Sequence, residues 1–250
     1  MHELMPALRP TSLRRADVVL VGPLSLAVLL AATFAVWAVR HRDEAGDAAI
    51  RPSGIPADVS TTTADLMGLA PVPDRPAPGF ALTDQRDRAV TLGALRGSVV
   101  VLEFMDPHCT DICPIVSQEF VDAYHDLGAG AAHVDFVAVN VNPYVRTPAA
   151  MAVYSEAHGL DAVPSWHFVT GPVAALAAVW RAYGIEVDAP GPTADVEHTS
   201  TVFFIDQAGH ERYLAMPTED HRADGTAYLP AGPLAAWGRG IATVATGLAG

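Results

Sequence analysis

The sequence predicts an α/β domain, its parallel-centred sheet covered by helices on both faces, carried behind one N-terminal membrane-spanning helix. Three observations predict it. Ser98–Met105 (SVVVLEFM) and Asp135–Val141 (DFVAVNV) are near-continuous apolar runs, the mark of strands buried on both faces. Helix-period segments alternate with these runs, as a layered sheet requires. Val18–Val39 is a 22-residue stretch without a charge. As a helix it would cover about 33 Å, enough to cross a hydrocarbon core.

In chain order, residues 1–17 form a cytoplasmic stub and 18–39 the anchor. Arg14 and Arg15 precede the apolar run, and Arg40, His41 and Arg42 follow it. No small-x-small site follows, so the segment reads as an uncleaved anchor and not as a signal peptide. The flanking arginines balance, leaving orientation to be argued from chemistry. Residues 40–78 read as a Pro-rich tether, punctuated by Pro52, Pro56, Pro71, Pro73, Pro76 and Pro78. The globular domain is then expected over 79–250.

Its first element is a small hairpin, Phe80–Thr83 with Val90–Leu92. The strand Ser98–Met105 follows. Pro114–Leu127 is a helix with Val116, Phe120, Tyr124 and Leu127 on one face and Gly128 at its end. After the second buried strand, Thr147-Pro148 opens a helix as cap and first residue, and Gly159 closes it. Trp166–Thr170 is a short strand. Pro172–Tyr183 is a helix that turns Leu176, Val179, Trp180 and Tyr183 inward and stops at Gly184. Thr201–Asp206 and Glu211–Leu214 form a closing hairpin around a Gly-containing loop. Leu234–Leu248 reads as a helix weakened by Gly238 and Gly240. Parallel strands closed by an antiparallel hairpin point to a thioredoxin-like plan.

Composition narrows the function. The chain has 250 residues, half of them apolar, and a formal charge of −13. The apolar content excludes a disordered chain. No basic stripe exists to meet a phosphate backbone, so a nucleic-acid partner is excluded. With only two cysteines, a disulfide-stapled scaffold is excluded as well.

Those two, Cys109 and Cys113, bracket the turn between the first buried strand and the first long helix. At i and i+4 both sulfurs can share one face of a helical turn. The helix N-terminus favours thiolate, which is both nucleophile and metal ligand. A structural disulfide across so short a loop would add only about 2 kcal/mol. The pair therefore points to redox or metal chemistry. Thioredoxin-type reductases place two residues between their cysteines, not three. The peroxiredoxin pattern fails at Leu102 and Asp106.

The rest of the sequence resembles the Sco/SenC family of copper proteins. The likeness is carried by Cys109–Pro114 (C-T-D-I-C-P), by Gly97–Phe104 before it and by Val141–Pro148 (V-N-P-Y-V-R-T-P). Phe168–Gly171 and Glu197–Ser200 (E-H-T-S) before a V-F-F-I-D strand complete it, over about Gly79 to Leu214. The resemblance implies copper, Cu(I) or Cu(II), held by Cys109, Cys113 and His198. It also implies a role in assembling the binuclear copper site of cytochrome oxidase, and thiol–disulfide exchange. Two sulfurs and an imidazole suit Cu(I), whereas a structural zinc site wants a fourth protein ligand. His108 is the nearest candidate for one and is expected to be an exposed neighbour. His125, His158 and His167 are expected to be structural or solvent-exposed.

Three places depart from the family pattern. Glu197 conservatively replaces the usual Asp before the histidine. Asn142-Pro143-Tyr144-Val145-Arg146 lacks the acids of V-D-P-E-R-D-T-P, which bears on the partner surface more than on the copper site. Met105–His108 differs from the usual turn, which points to a divergent branch with another recipient. Glu103 is a carboxylate inside a central strand, facing a helix edge, a water or Arg96. The sequence thus predicts a membrane-tethered, non-enzymatic copper chaperone with a monomeric soluble domain. The resemblance implies a copper protein, a cytochrome oxidase subunit, as its recipient. The alternatives are a reductase in which Cys109 and Cys113 are the catalytic pair, preparing recipient cysteines, and a copper or redox sensor. A redox-active pair behind one anchor fits the oxidising extracytoplasmic side.

Overall fold

The computed structural model describes residues 53–250. The stub, the expected anchor and residues 40–52 lie outside the described residues. Among those described, no helix is long and apolar enough to cross a membrane.

A six-stranded sheet organises the domain. The first helix among the described residues, α1 (Thr61–Leu66), leads into β1 (Ala70–Pro76), and the hairpin β2 (Ala81–Thr83) and β3 (Ala89–Thr91) follows. Next come β4 (Val99–Met105), α2 (Ile112–Leu127), β5 (Val134–Asn140), α3 (Pro148–Ala157), β6 (Trp166–Val169) and α4 (Val173–Tyr183). Two short strands, β7 (Val187–Asp188) and β8 (Glu197–His198), precede β9 (Val202–Ile205) and β10 (His210–Ala215). The chain ends with β11 (Asp220–His221), β12 (Ala227–Tyr228) and α5 (Ala231–Ala249). The main sheet runs β1-β10-β9-β4-β5-β6. The pairs β4–β5 and β5–β6 are parallel; β9, β10 and β1 add antiparallel neighbours.

The apolar runs behave as their composition demands. Every residue of β4 is buried. Val99, Val101 and Met105 pack with α2 and α5 on one face, while Val100, Leu102 and Phe104 pack with α4 and the β2–β3 hairpin on the other. The caps fall where the sequence puts them. Thr147 Oγ1 accepts the Ala150 N–H at 3.2 Å. Gly184 closes α4 at φ 71°, a left-handed value that suits glycine.

The expected tether is corrected over residues 53–78. β1 is an edge strand on β10, and Ile55, Val59, Ala64, Met67 and Leu69 belong to the main apolar core. An edge strand tolerates proline because one side of its backbone needs no ladder partner. The C-terminal helix is longer than expected, and its glycines have a packing reason. A Cβ on Gly238 would lie 2.6 Å from Asp122 Cβ, and one on Gly240 would collide with Met67 Sδ. Close approach of α5 to its neighbours offsets the low helix propensity of glycine.

Candidate metal centre

The cysteine turn is folded by Asp106. Strand β4 delivers this residue, 4% exposed, to the edge of the core. Its Oδ1 accepts the His108 N–H at 2.9 Å, and its carbonyl accepts the Cys109 N–H at 3.1 Å. This side-chain-to-backbone pattern closes a turn without glycine. Asn142, at the exit of β5, donates Nδ2–H to the same Oδ1 at 3.0 Å. Its own Oδ1 accepts from the Tyr144 and Val145 N–H groups.

The helix α2 begins at Ile112, so Cys113 occupies its first turn, two residues ahead of the expected start. Cys113 is buried and Cys109 half-buried, and both are free thiols. A hydrogen bond from Cys113 lowers the Cys109 thiol to about 7 against opposing burial, with help from the Cys113 and Asp111 backbone. The same bond, together with burial, pushes the Cys113 thiol up. The arrangement makes half-buried Cys109 the thiolate and buried Cys113 its proton-bearing partner.

His198 closes the two-residue strand β8, opposite Val187 of β7. Its Nδ1 lies 3.1 Å from the Thr199 carbonyl oxygen. A carbonyl only accepts, so Nδ1 carries the hydrogen and Nε2 keeps its lone pair. Burial lowers the pKa of this imidazole, which keeps it neutral and able to ligate.

Cys109 and His198 line one pocket of about 810 Å³, with Asp106 and Asn142 in its wall. Cys113, buried behind the pocket wall, hydrogen-bonds to Cys109. Of the three sequence-predicted residues, Cys109 and His198 thus share one pocket and Cys113 is buried beside Cys109, but the two sulfurs and the imidazole are not drawn to within 4.8 Å of one another. His108 is exposed at the same pocket, as expected. Of the remaining histidines, His125 is exposed, His158 stacks on Tyr154 at 4.2 Å and His167 Nδ1 meets Asp84 Oδ2 at 3.2 Å.

Three contributions escaped the sequence reading. Asp106 and Asn142 form the brace just described. The β11–β12 hairpin closes the pocket with Asp224 to Ala227, and its Asp224-Gly225 turn is the signal that could have revealed it. This hairpin also brings Glu219 and His221 to Asp111, with their ligand atoms all within 4.8 Å of one another. These three side chains are exposed or half-exposed at the rim.

Comparison with known proteins bears on this site. A family model described as SCO1/SenC matches residues 72–226. The mitochondrial "Protein SCO2 homolog" of Bos taurus is 31% identical over 136 residues, 52% of this chain and 50% of that protein. The chain therefore spans about half the length of that relative. The solution structure of apo Sco1 from Thermus thermophilus matches with a TM-score of 0.54 at 25% identity, over 73% of this chain and 96% of that one. Bradyrhizobium japonicum ScoI, solved with copper bound, matches with a TM-score of 0.53 at 23% identity, over 70% of this chain and 99% of that one. The latter likeness establishes a shared fold.

Proposed function

Because the chain belongs to the SCO1/SenC family, we propose that it is a membrane-tethered copper chaperone. It takes one copper ion as cargo on Cys109 Sγ, Cys113 Sγ and His198 Nε2. It passes the ion to a recipient copper protein, a cytochrome oxidase subunit, on the extracytoplasmic side. The observation that carries this reading is that a half-buried thiol and a neutral imidazole line one pocket, with the second thiol buried next to the first.

The donor set fits the cargo. Thiolates select Cu(I), and the imidazole nitrogen adds affinity for Cu(II). Both thiols must lose their protons on loading, so binding is proton-coupled. Cys109 is prepared for this by its lowered pKa. The soluble domain is read as a monomer.

A second reading, a disulfide reductase, is favoured by one specific feature: a reactive Cys109 over a protonated Cys113. The Cys109 thiolate would attack a recipient disulfide and release one recipient thiolate. The Cys113 sulfur, once deprotonated, would then displace the second, leaving a Cys109–Cys113 disulfide and a recipient dithiol.

His198→Ala separates the two readings. An imidazole is a ligand but takes no part in a disulfide. The variant should cycle the cysteine pair at parent rates and bind copper far more weakly, Cu(II) most. Titration of both oxidation states against a chelator of known affinity measures this. Parent-like copper affinity would remove His198 from the ligand set and make the reductase the better reading.

A further inference from the structure

Glu103 is the only polar residue of β4 and is 1% exposed. It reaches neither Arg96 nor a helix edge through its bonded oxygen. Its Oε1 accepts the Thr201 N–H at 3.1 Å and the Ser200 Oγ–H at 3.2 Å. Its Oε2 is buried with no hydrogen-bond partner.

The position of these bonds is informative. The antiparallel ladder between β4 and β9 pairs Val100 with Ile205, Val101 with Phe204 and Leu102 with Phe203, and ends there. Continued, it would set Phe104 opposite Thr201. Instead the Thr201 N–H is taken by the Glu103 side chain, and the chain before it leaves the main sheet. His198, three residues earlier, then pairs with β7 in a separate two-stranded sheet. Strand β4 itself runs on into the cysteine turn. One carboxyl therefore ties the strand that delivers Cys109 to the segment that delivers His198.

We infer that Glu103 is a positioning residue for His198: its carboxyl replaces the missing step of the ladder and fixes where the histidine segment departs from the sheet. The inference rests on the reading of His198 as a copper ligand. An aliphatic side chain would fill the same space without an orphaned oxygen, so the carboxyl is costly as a core residue. Its length is also specific. Aspartate would bring its acceptor one methylene short of Thr201, whereas glutamine keeps both the length and an accepting Oε1. Burial pushes the Glu103 carboxyl up to about 8, so at neutral pH it is a largely uncharged group that glutamine replicates.

The test compares Glu103→Gln, Glu103→Asp and Glu103→Leu by Cu(II) competition against a chelator and by nitrogen hyperfine coupling in EPR. Circular dichroism and the Cys109 alkylation rate run alongside. Glu103→Gln should match the parent. Glu103→Leu should weaken Cu(II) binding by about 10- to 100-fold, the usual effect of losing a residue that orients a ligand. It should also lose the imidazole coupling while Cys109 reacts at the parent rate. In a His198→Ala background Glu103→Leu should add nothing. If Glu103→Leu does not fold, Glu103→Asp makes the same comparison and should show the same loss. Parent-like affinity and coupling in the folded Leu or Asp variant would overturn the inference. Parent-like affinity in His198→Ala would instead overturn the ligand reading beneath it.

Discussion

Beginning the protein at Pro78 instead of residue 53 removes what the sequence presents as a spacer and the structure builds into the core. The truncation deletes β1 and leaves its four register partners on β10 unpaired along that edge. It also uncovers the contacts of Ile55 (7% exposed), Val59 (2%), Met67 (0%) and Leu69 (6%). At roughly 1.5–3 kcal/mol per buried aliphatic side chain, these four alone are worth about 6–12 kcal/mol. Arg75 leaves with them. Its Nε donates to Glu211 Oε2 at 2.6 Å, and Glu211 is 0% exposed, so a fully buried carboxylate loses its cation. Whole domains are stable by only about 5–15 kcal/mol. The shortened protein should therefore lack a cooperative transition and bind a hydrophobic dye. Thermal melts of residues 53–250 and 78–250, followed by near-UV circular dichroism, read this directly. A loss of 6 kcal/mol corresponds to more than about 12 °C at this size. A cooperative melt of the shorter protein within about 5 °C of the longer one would refute the burial argument.

Gly238→Ala should destabilise by about 1–3 kcal/mol despite a better helix propensity, because its Cβ meets Asp122 Cβ at 2.6 Å and the Ala123 backbone at 3.3 Å. Gly247→Ala, with nothing within 4 Å, should gain about 0.5–1 kcal/mol; equal effects in chemical denaturation would contradict the packing account. Cys109 alkylation should rise to half its plateau near pH 7, and Cys113→Ala should move that midpoint upward by deleting the largest cause of the shift. The sign follows from linkage: a lowered pKa means the fold favours thiolate, a stabilisation present above the ordinary thiol value of 9.0 and lost as pH falls through about 7. A midpoint at 9 in the parent would exclude the thiol–thiolate bond.

What was legible in the sequence, and what was not, divides by the range of the interactions. Strands β4 and β5 are covered on both faces, so their burial is written as unbroken apolar runs. The caps Thr147 and Gly184 act within one turn and can be read locally. Strand β1 could not be, because Pro71, Pro73 and Pro76 carry the composition of a spacer, and only the partner β10 turns them into a sheet edge. Gly238 and Gly240 have the same character: their meaning is the neighbouring helix and Met67, not their own propensity. His198 sits on a two-residue strand with no periodicity, so only its likeness to a family motif could single it out. The bond from Glu103 to Thr201 spans 98 positions, beyond any local pattern.

Two of the departures from the family pattern are one device. Read along the chain, Asp106 in the cysteine turn and Asn142 in place of the family aspartate are separate losses, and the second removes an acid from a presumed partner surface. In space they meet at 3.0 Å, Asn142 Nδ2–H donating to Asp106 Oδ1. An aspartate at 142 would set two carboxylates at hydrogen-bond distance inside a buried wall, where each disfavours the charge of the other. The amide removes that repulsion and supplies the donor. Asn142 still accepts from the Tyr144 and Val145 N–H groups, so the β5 exit keeps the turn that a carboxylate would also have made. Asp106 in turn holds His108 and Cys109 in place. The exchange therefore braces the cysteine turn from inside, and its effect belongs to the geometry of Cys109 before it belongs to any docking surface.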